Sequence, residues 1–117
     1  MAQEIKTDIC VIGAGSGGLS VAAGAQQMGS DTVLIEKDKM GGDCLNTGCV
    51  PSKALLAAGH AAEAVRDAER FGIAASEPEI DWNKIHAHVH GAIATIAPND
   101  SVERFEGLGV NVVQAEG

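Results

Sequence analysis

Cys44 and Cys49 lie five residues apart, and Lys53 follows four residues after the second. These are the side chains best able to do chemistry in this sequence. A thiol at a helix N-terminus is favoured as thiolate by the helix dipole. If a helix begins across this stretch, Lys53 adds a cation one turn beyond Cys49. Both effects favour an exchange-competent sulfur at Cys49. Spacing alone leaves other readings open. Free cysteines are often small buried hydrophobes, and a zinc site built on C-x4-C would lack its remaining ligands.

A second constellation precedes the first. Gly13-Ala14-Gly15-Ser16-Gly17-Gly18 fits G-x-G-x-x-G. In such a turn the first glycine permits a tight strand-to-helix bend. The second lets backbone approach a pyrophosphate, and the third lets helix and strand touch. The helix N-terminus then offers unpaired N–H groups and a partial positive charge to phosphates. Alone the pattern is weak. Its context strengthens it, because a strand precedes it, a helix follows, and Glu36 stands about 20 residues on, where a carboxylate meets ribose hydroxyls. An acid there suits an unphosphorylated ribose, hence FAD or NAD rather than NADP.

The elements that must position these residues read as an alternating α/β chain. Residues 5–12 are apolar and β-rich and predict a buried strand, so Cys10 is expected to be buried and inert. A helix of small residues is expected over 19–28, with Gly29 as its stop. Residues 32–35 predict a second buried strand, which completes a β-α-β unit of ordinary size. A long helix is expected from about Cys44, with Pro51 near its start. Asp81 is the expected N-cap of a further helix through about Ala97, with Trp82 packed at its start. Pro98 interrupts it. A short turn over 101–106 and a strand over 110–113 follow.

The chain has 117 residues, enough for one domain, and 45% of them are apolar, as in an ordinary globular core. Its net charge of -8 argues against nucleic acid and against an anionic membrane surface. The apolar run at the N-terminus is too short for a targeting segment or a membrane span. Three cysteines, an odd number, do not suggest a structural disulfide framework. Together these features predict a cytoplasmic protein.

The run Gly41-Gly42-Asp43-Cys44-Leu45-Asn46-Thr47-Gly48-Cys49-Val50-Pro51-Ser52-Lys53 resembles the active-site signature of the class I pyridine nucleotide-disulfide oxidoreductases. That family includes dihydrolipoamide dehydrogenase, mercuric reductase and glutathione reductase. The resemblance is sharpest between about Thr7 and Leu56. It implies a Rossmann-like three-layer FAD-binding domain, incomplete at its C-terminal side, of which residues 1–117 form the N-terminal part. It implies that Cys44 exchanges with a thiol or disulfide substrate, and that the parent's substrate is a small thiol or disulfide or a metal ion. Cys49 would lie against the flavin and form a charge-transfer thiolate with it, and Lys53 would sit near the reactive flavin nitrogen. Cofactor contacts are implied at Gly13, Gly15, Ser16, Gly18, Glu36, Lys37, Gly41, Gly42, Asp43 and Gly48 as well. Electrons would pass between nicotinamide, supplied as NAD(P)H, the flavin and a Cys44–Cys49 disulfide. The flavin would carry the hard chemistry.

One position departs from the family pattern. The residue before the first cysteine is commonly threonine, and here it is Asp43. A carboxylate there either disfavours the Cys44 thiolate or caps the helix, and the cap is the favoured reading. The resemblance also implies a longer homodimeric parent, with a nicotinamide domain and a dimer domain supplying a His–Glu pair. The 117 residues alone are therefore expected not to turn over. Two rival readings are a non-catalytic FAD-binding or thiol-relay module, and a metal module built on His86, His90 and cysteines. No metal site is assigned, since His86 and His90 share a helical face without an evident third ligand. His60 is read as structural. Glu63, Asp67 and Glu69 are read as a solvated face.

Overall fold

The computed structural model describes residues 2–117. Three parallel strands form its sheet in the order β1-β2-β3. They are β1 (Ile9–Ile12), β2 (Thr32–Glu36) and β3 (Asn111–Gln114). The register runs from Ile9 beside Thr32 to Ile12 beside Ile35, and from Val33 beside Asn111 to Glu36 beside Gln114. The strands therefore finish on one edge of the sheet, the edge where α/β sheets bind ligands. Helix α1 (Ser16–Gln27) connects β1 to β2. Gly29 follows it at φ +89°, a left-handed stop that favours glycine.

Side chains alternate across a strand. Val11 points into a core with Leu34, Leu19, Ala22, Phe105 and Val110. Cys10 and Ile12 point the other way, and both are exposed. The expectation of a buried β1 and a buried Cys10 is thus corrected, because only one face of β1 is covered. The expected strand over 5–12 also begins later. Before Ile9 the chain is held by Asp31, whose carbonyl accepts from the Thr7 hydroxyl and from the Asp8 amide.

The single long helix expected from Cys44 is two helices. Helix α2 (Gly42–Asn46) ends at Thr47, and α3 (Cys49–Arg66) starts after Gly48. At Gly48 a side chain would bring a carbon within 2.9 Å of the Asp43 carbonyl oxygen, so the joint closes only with glycine. Helix α4 (Trp82–Ile96) runs beside α3. Asp81 caps it as expected, its Oδ1 accepting from the amides of Asn83 and Lys84 at 3.0 and 3.2 Å. Trp82 is 70% exposed rather than packed. It edges an apolar groove between α3 and α4 with Leu55, Leu56 and Ile80.

A tight turn over Ala97–Asp100 holds Pro98, and α5 (Val102–Gly107) leads into β3. That segment is a capped helix rather than a turn, since the Ser101 hydroxyl accepts from the Arg104 amide. Glu63 and Asp67 are exposed and pair with Arg66 and Arg70. Arg66 also holds Glu77 at 2.7 Å, tying the end of α3 to the segment before α4. The molecule extends 68 × 30 × 18 Å, because α3 and α4 project away from the sheet as an arm.

Candidate functional site

The glycine turn sits where β1 ends. Gly13 adopts φ +100° and its amide donates to the Ile35 carbonyl at 2.8 Å. A side chain on Gly18 would collide with the Gly13 carbonyl oxygen, so turn and helix touch only through glycine. At Gly15, by contrast, a side chain would meet open space. Gly15 precedes α1, and no side chain caps that helix. The first amides of α1 are therefore left without a side-chain partner. An uncapped N-terminus above a bare glycine is the surface a diphosphate needs.

Glu36 ends β2 beside this turn. It is buried, and its Oε2 accepts from the Ala14 amide at 2.6 Å while Oε1 accepts from the Asp38 amide at 2.8 Å. The Ala14 bond first, then the Asp38 bond, holds the carboxyl below its usual range, against the opposing effect of burial. A carboxylate has about four acceptor positions. Two accept these bonds and the Lys37 amide also acts on the carboxylate, which leaves acceptor capacity for a hydroxyl donor. Glu36 and Lys37 line a cavity of about 190 Å³ with Gly13. They also line one of about 260 Å³ with Gly42, Asp43 and Asn46.

Ala14 links the two motifs. Its amide is held by Glu36, and its carbonyl accepts from the Gly41 amide at 2.9 Å. Gly41 is left-handed at φ +92°. A side chain on Gly42 would come within 2.7 Å of the Gly15 Cα. The head of the cysteine stretch thus lies directly on the glycine turn. Asn46 fixes it from below, its Nδ2 donating to the carbonyls of Met40 and Gly42. Ala14 and Asn46 were not among the residues picked out by type. Ala14 acts only through backbone, and Asn46 was visible as a polar residue between the cysteines.

On one continuous helix, residues five apart point about 140° away from each other. The break at Gly48 removes that obstacle. Cys44 lies in α2, and Cys49 is the first residue of α3 with Lys53 one turn on. Both cysteines are free thiols. Cys49 beside it pushes the Cys44 thiol above its ordinary value, chiefly through a hydrogen bond between the side chains, while the Lys53 charge draws it down. The Asp43 side chain does not cap α2, which starts from Gly41 with Asp43 inside its first turn. The expectation of an Asp43 cap is corrected.

Cys44 lines a cavity of about 420 Å³ whose walls come mainly from α1, α2 and α5. Leu19, Leu45 and Phe105 form apolar wall, and Ser16 and Arg104 supply polar groups. The rings of His86 and His90 lie 4.2 Å apart. Among the described residues no group of three or more His, Cys, Asp or Glu side chains converges to hold a metal ion. No described helix is long and apolar enough to cross a membrane.

The family model for pyridine nucleotide-disulphide oxidoreductases matches residues 7–114. Among curated proteins the chain is 46% identical to a dihydrolipoyl dehydrogenase of Bacillus subtilis over 81 residues, covering 69% of this chain and 17% of that protein. A dihydrolipoyl dehydrogenase of Haemophilus influenzae is 40% identical, over 92% of this chain and 24% of its own length. One from Haloferax volcanii is 41% identical, over 92% and 22%. The chain thus spans about a fifth of the length of these relatives.

Proposed function

The chain belongs to the pyridine nucleotide-disulphide oxidoreductase family, and from that premise we propose that it forms the FAD-binding and dithiol part of such an enzyme. The carrying observation is the contact of the two motifs through Ala14, Gly41 and Gly42, which sets the cysteine pair beside the phosphate-binding turn. The first amides of α1 and the bare Gly15 would hold the diphosphate, with Ser16 and Gly18 in the same turn. Glu36 would accept from ribose hydroxyls with its unused lone pairs, and Lys37 lines the same cavity. Gly48 closes the joint that brings Cys49 toward Cys44.

Bound FAD would supply two-electron transfer between a reduced nicotinamide and the dithiol. The protein's own part is thiol–disulfide exchange. Cys44, in the cavity, attacks or is attacked by a small thiol or disulfide substrate. Cys49 resolves the mixed disulfide, and the Lys53 ammonium favours thiolate at this end of α3. The family relatives named dihydrolipoyl dehydrogenase favour a dihydrolipoyl-type dithiol as the substrate. Reduced nicotinamide as co-substrate and a homodimeric whole protein belong to the same proposal.

The test is the visible spectrum of the purified chain with FAD, before and after mild dithiol reduction. A bound-flavin spectrum that gains a long-wavelength band on reduction, and loses that band in Cys49→Ala, is the expected result. Free flavin under all conditions would overturn FAD binding by this chain.

A further inference from the structure

We propose, resting on the reading of Cys44 as the exchanging thiol, that Arg104 makes its cavity selective for disulfides bearing a carboxylate on an apolar frame. Leu19, Leu45, Val50 and Phe105 give the cavity apolar walls, with Cys44 at one side and Arg104 at another. Arg104 is held in place. One Nη donates to the Asn99 carbonyl, and the guanidinium lies 5.5 Å from the Phe105 ring centre. Among the described residues the other arginines, Arg66 and Arg70, are neutralised by carboxylates, whereas Arg104 has none within ion-pairing distance. A guanidinium has five N–H donors. With one used on Asn99, a pair remains for bidentate capture of a carboxylate.

The setting sharpens the inference. A net charge of -8 repels anions from most of this surface. An unneutralised arginine on the wall of this cavity is a local exception, alongside the Lys53 charge that also acts on Cys44. Asp100 lines the same cavity and opposes it, so the selectivity is a balance that either residue shifts.

The exchange is balanced without any further oxidant. The Cys44 thiolate attacks one sulfur of the substrate disulfide, that S–S bond breaks, and one thiolate leaves. The Cys49 thiolate, its proton lost to solvent, then attacks Cys44 and releases the second thiolate. The cysteine pair is oxidised by two electrons and the substrate is reduced to two thiols.

The experiment compares two reagents on the 117-residue chain carrying Cys10→Ser and Cys49→Ser, so that only Cys44 reacts. One is dithiobis(nitrobenzoate), which bears two carboxylates, and the other is neutral dithiodipyridine. Arg104→Gln is expected to slow the anionic reagent about threefold to tenfold, and the neutral one by less than about twofold. Arg104→Lys should restore part of the anionic rate, and Asp100→Asn should raise it. Added salt should shrink the difference. Equal effects on both reagents, or none on either, would overturn the role of Arg104. A separate arm follows the chain with Cys44 and Cys49 both present. If the first exchange there yields no Cys44–Cys49 disulfide, the redox reading falls, whatever Arg104 does to the first step. If Arg104→Gln does not fold, the Arg104→Lys and Asp100→Asn pair still decides the matter by whether it moves the anionic rate alone.

Discussion

Cys44 and Glu36 are tuned by neighbours distant in sequence or set at a specific angle. The Cys49 hydrogen bond raises the Cys44 thiol and Lys53 lowers it. Cys49→Ala should therefore move the alkylation-versus-pH profile of Cys44 to lower pH, and Lys53→Met should move it to higher pH. Mass-resolved alkylation in a Cys10→Ser background reads both. For Glu36 the folded carboxyl is depressed by the Ala14 and Asp38 amides. Its stabilisation is fully present above the unfolded value near 4.5 and is lost as pH falls below that, through the folded value. Denaturant titrations should show stability falling with acid in the native chain. Glu36→Gln should flatten that fall and cost about 1–3 kcal/mol at neutral pH, since an amide nitrogen then faces a buried N–H donor.

Elements here are decided by their ends. Helix α4 starts where the Asp81 carboxylate takes two backbone amides, and α5 starts where Ser101 takes one. Asp81→Ala should cost about 1 kcal/mol and fray the first turn of α4. Unchanged amide exchange at Asn83 and Lys84 would contradict this. The break between α2 and α3 matters more for chemistry. It depends on a packed carbonyl at Gly48 rather than on a general weakness of glycine in helices. The α4 cap was legible because an Asp before a periodic apolar stretch is a local signal. The break at Gly48 was not, because it depends on how Asp43 folds back onto it.

Across the whole molecule the shape departs from a compact domain. A chain of this length folded compactly has a radius of gyration of about 13 Å, whereas this one has 20.3 Å. The arm of α3 and α4 accounts for the excess and carries exposed Leu55, Leu56 and Trp82. Small-angle scattering should return a value near 20 Å. Trp82, the single tryptophan, should be quenched by acrylamide almost as freely as in an unfolded chain. A radius near 13 Å, with a protected tryptophan, would mean that the arm folds back. Charge at this scale is strongly negative, and that is the background against which Arg104 stands out.

The alternating elements, the glycine turn, Glu36 and the cysteine stretch were all legible in the chain. Each is local: glycine spacing, apolar runs and residue types within about thirty positions determine them without reference to the rest of the fold. Burial was not local. Cys10 stands in an apolar run and Trp82 is a large apolar ring, yet both face outward, because burial depends on which other elements cover a face. Only the tertiary structure could decide that Ala14 joins the two motifs, that a break turns Cys44 toward Cys49, and that Arg104 arrives from sixty residues away to share the Cys44 cavity. Contacts of that kind are set by the path of the backbone in space, and no run of neighbouring residues encodes them.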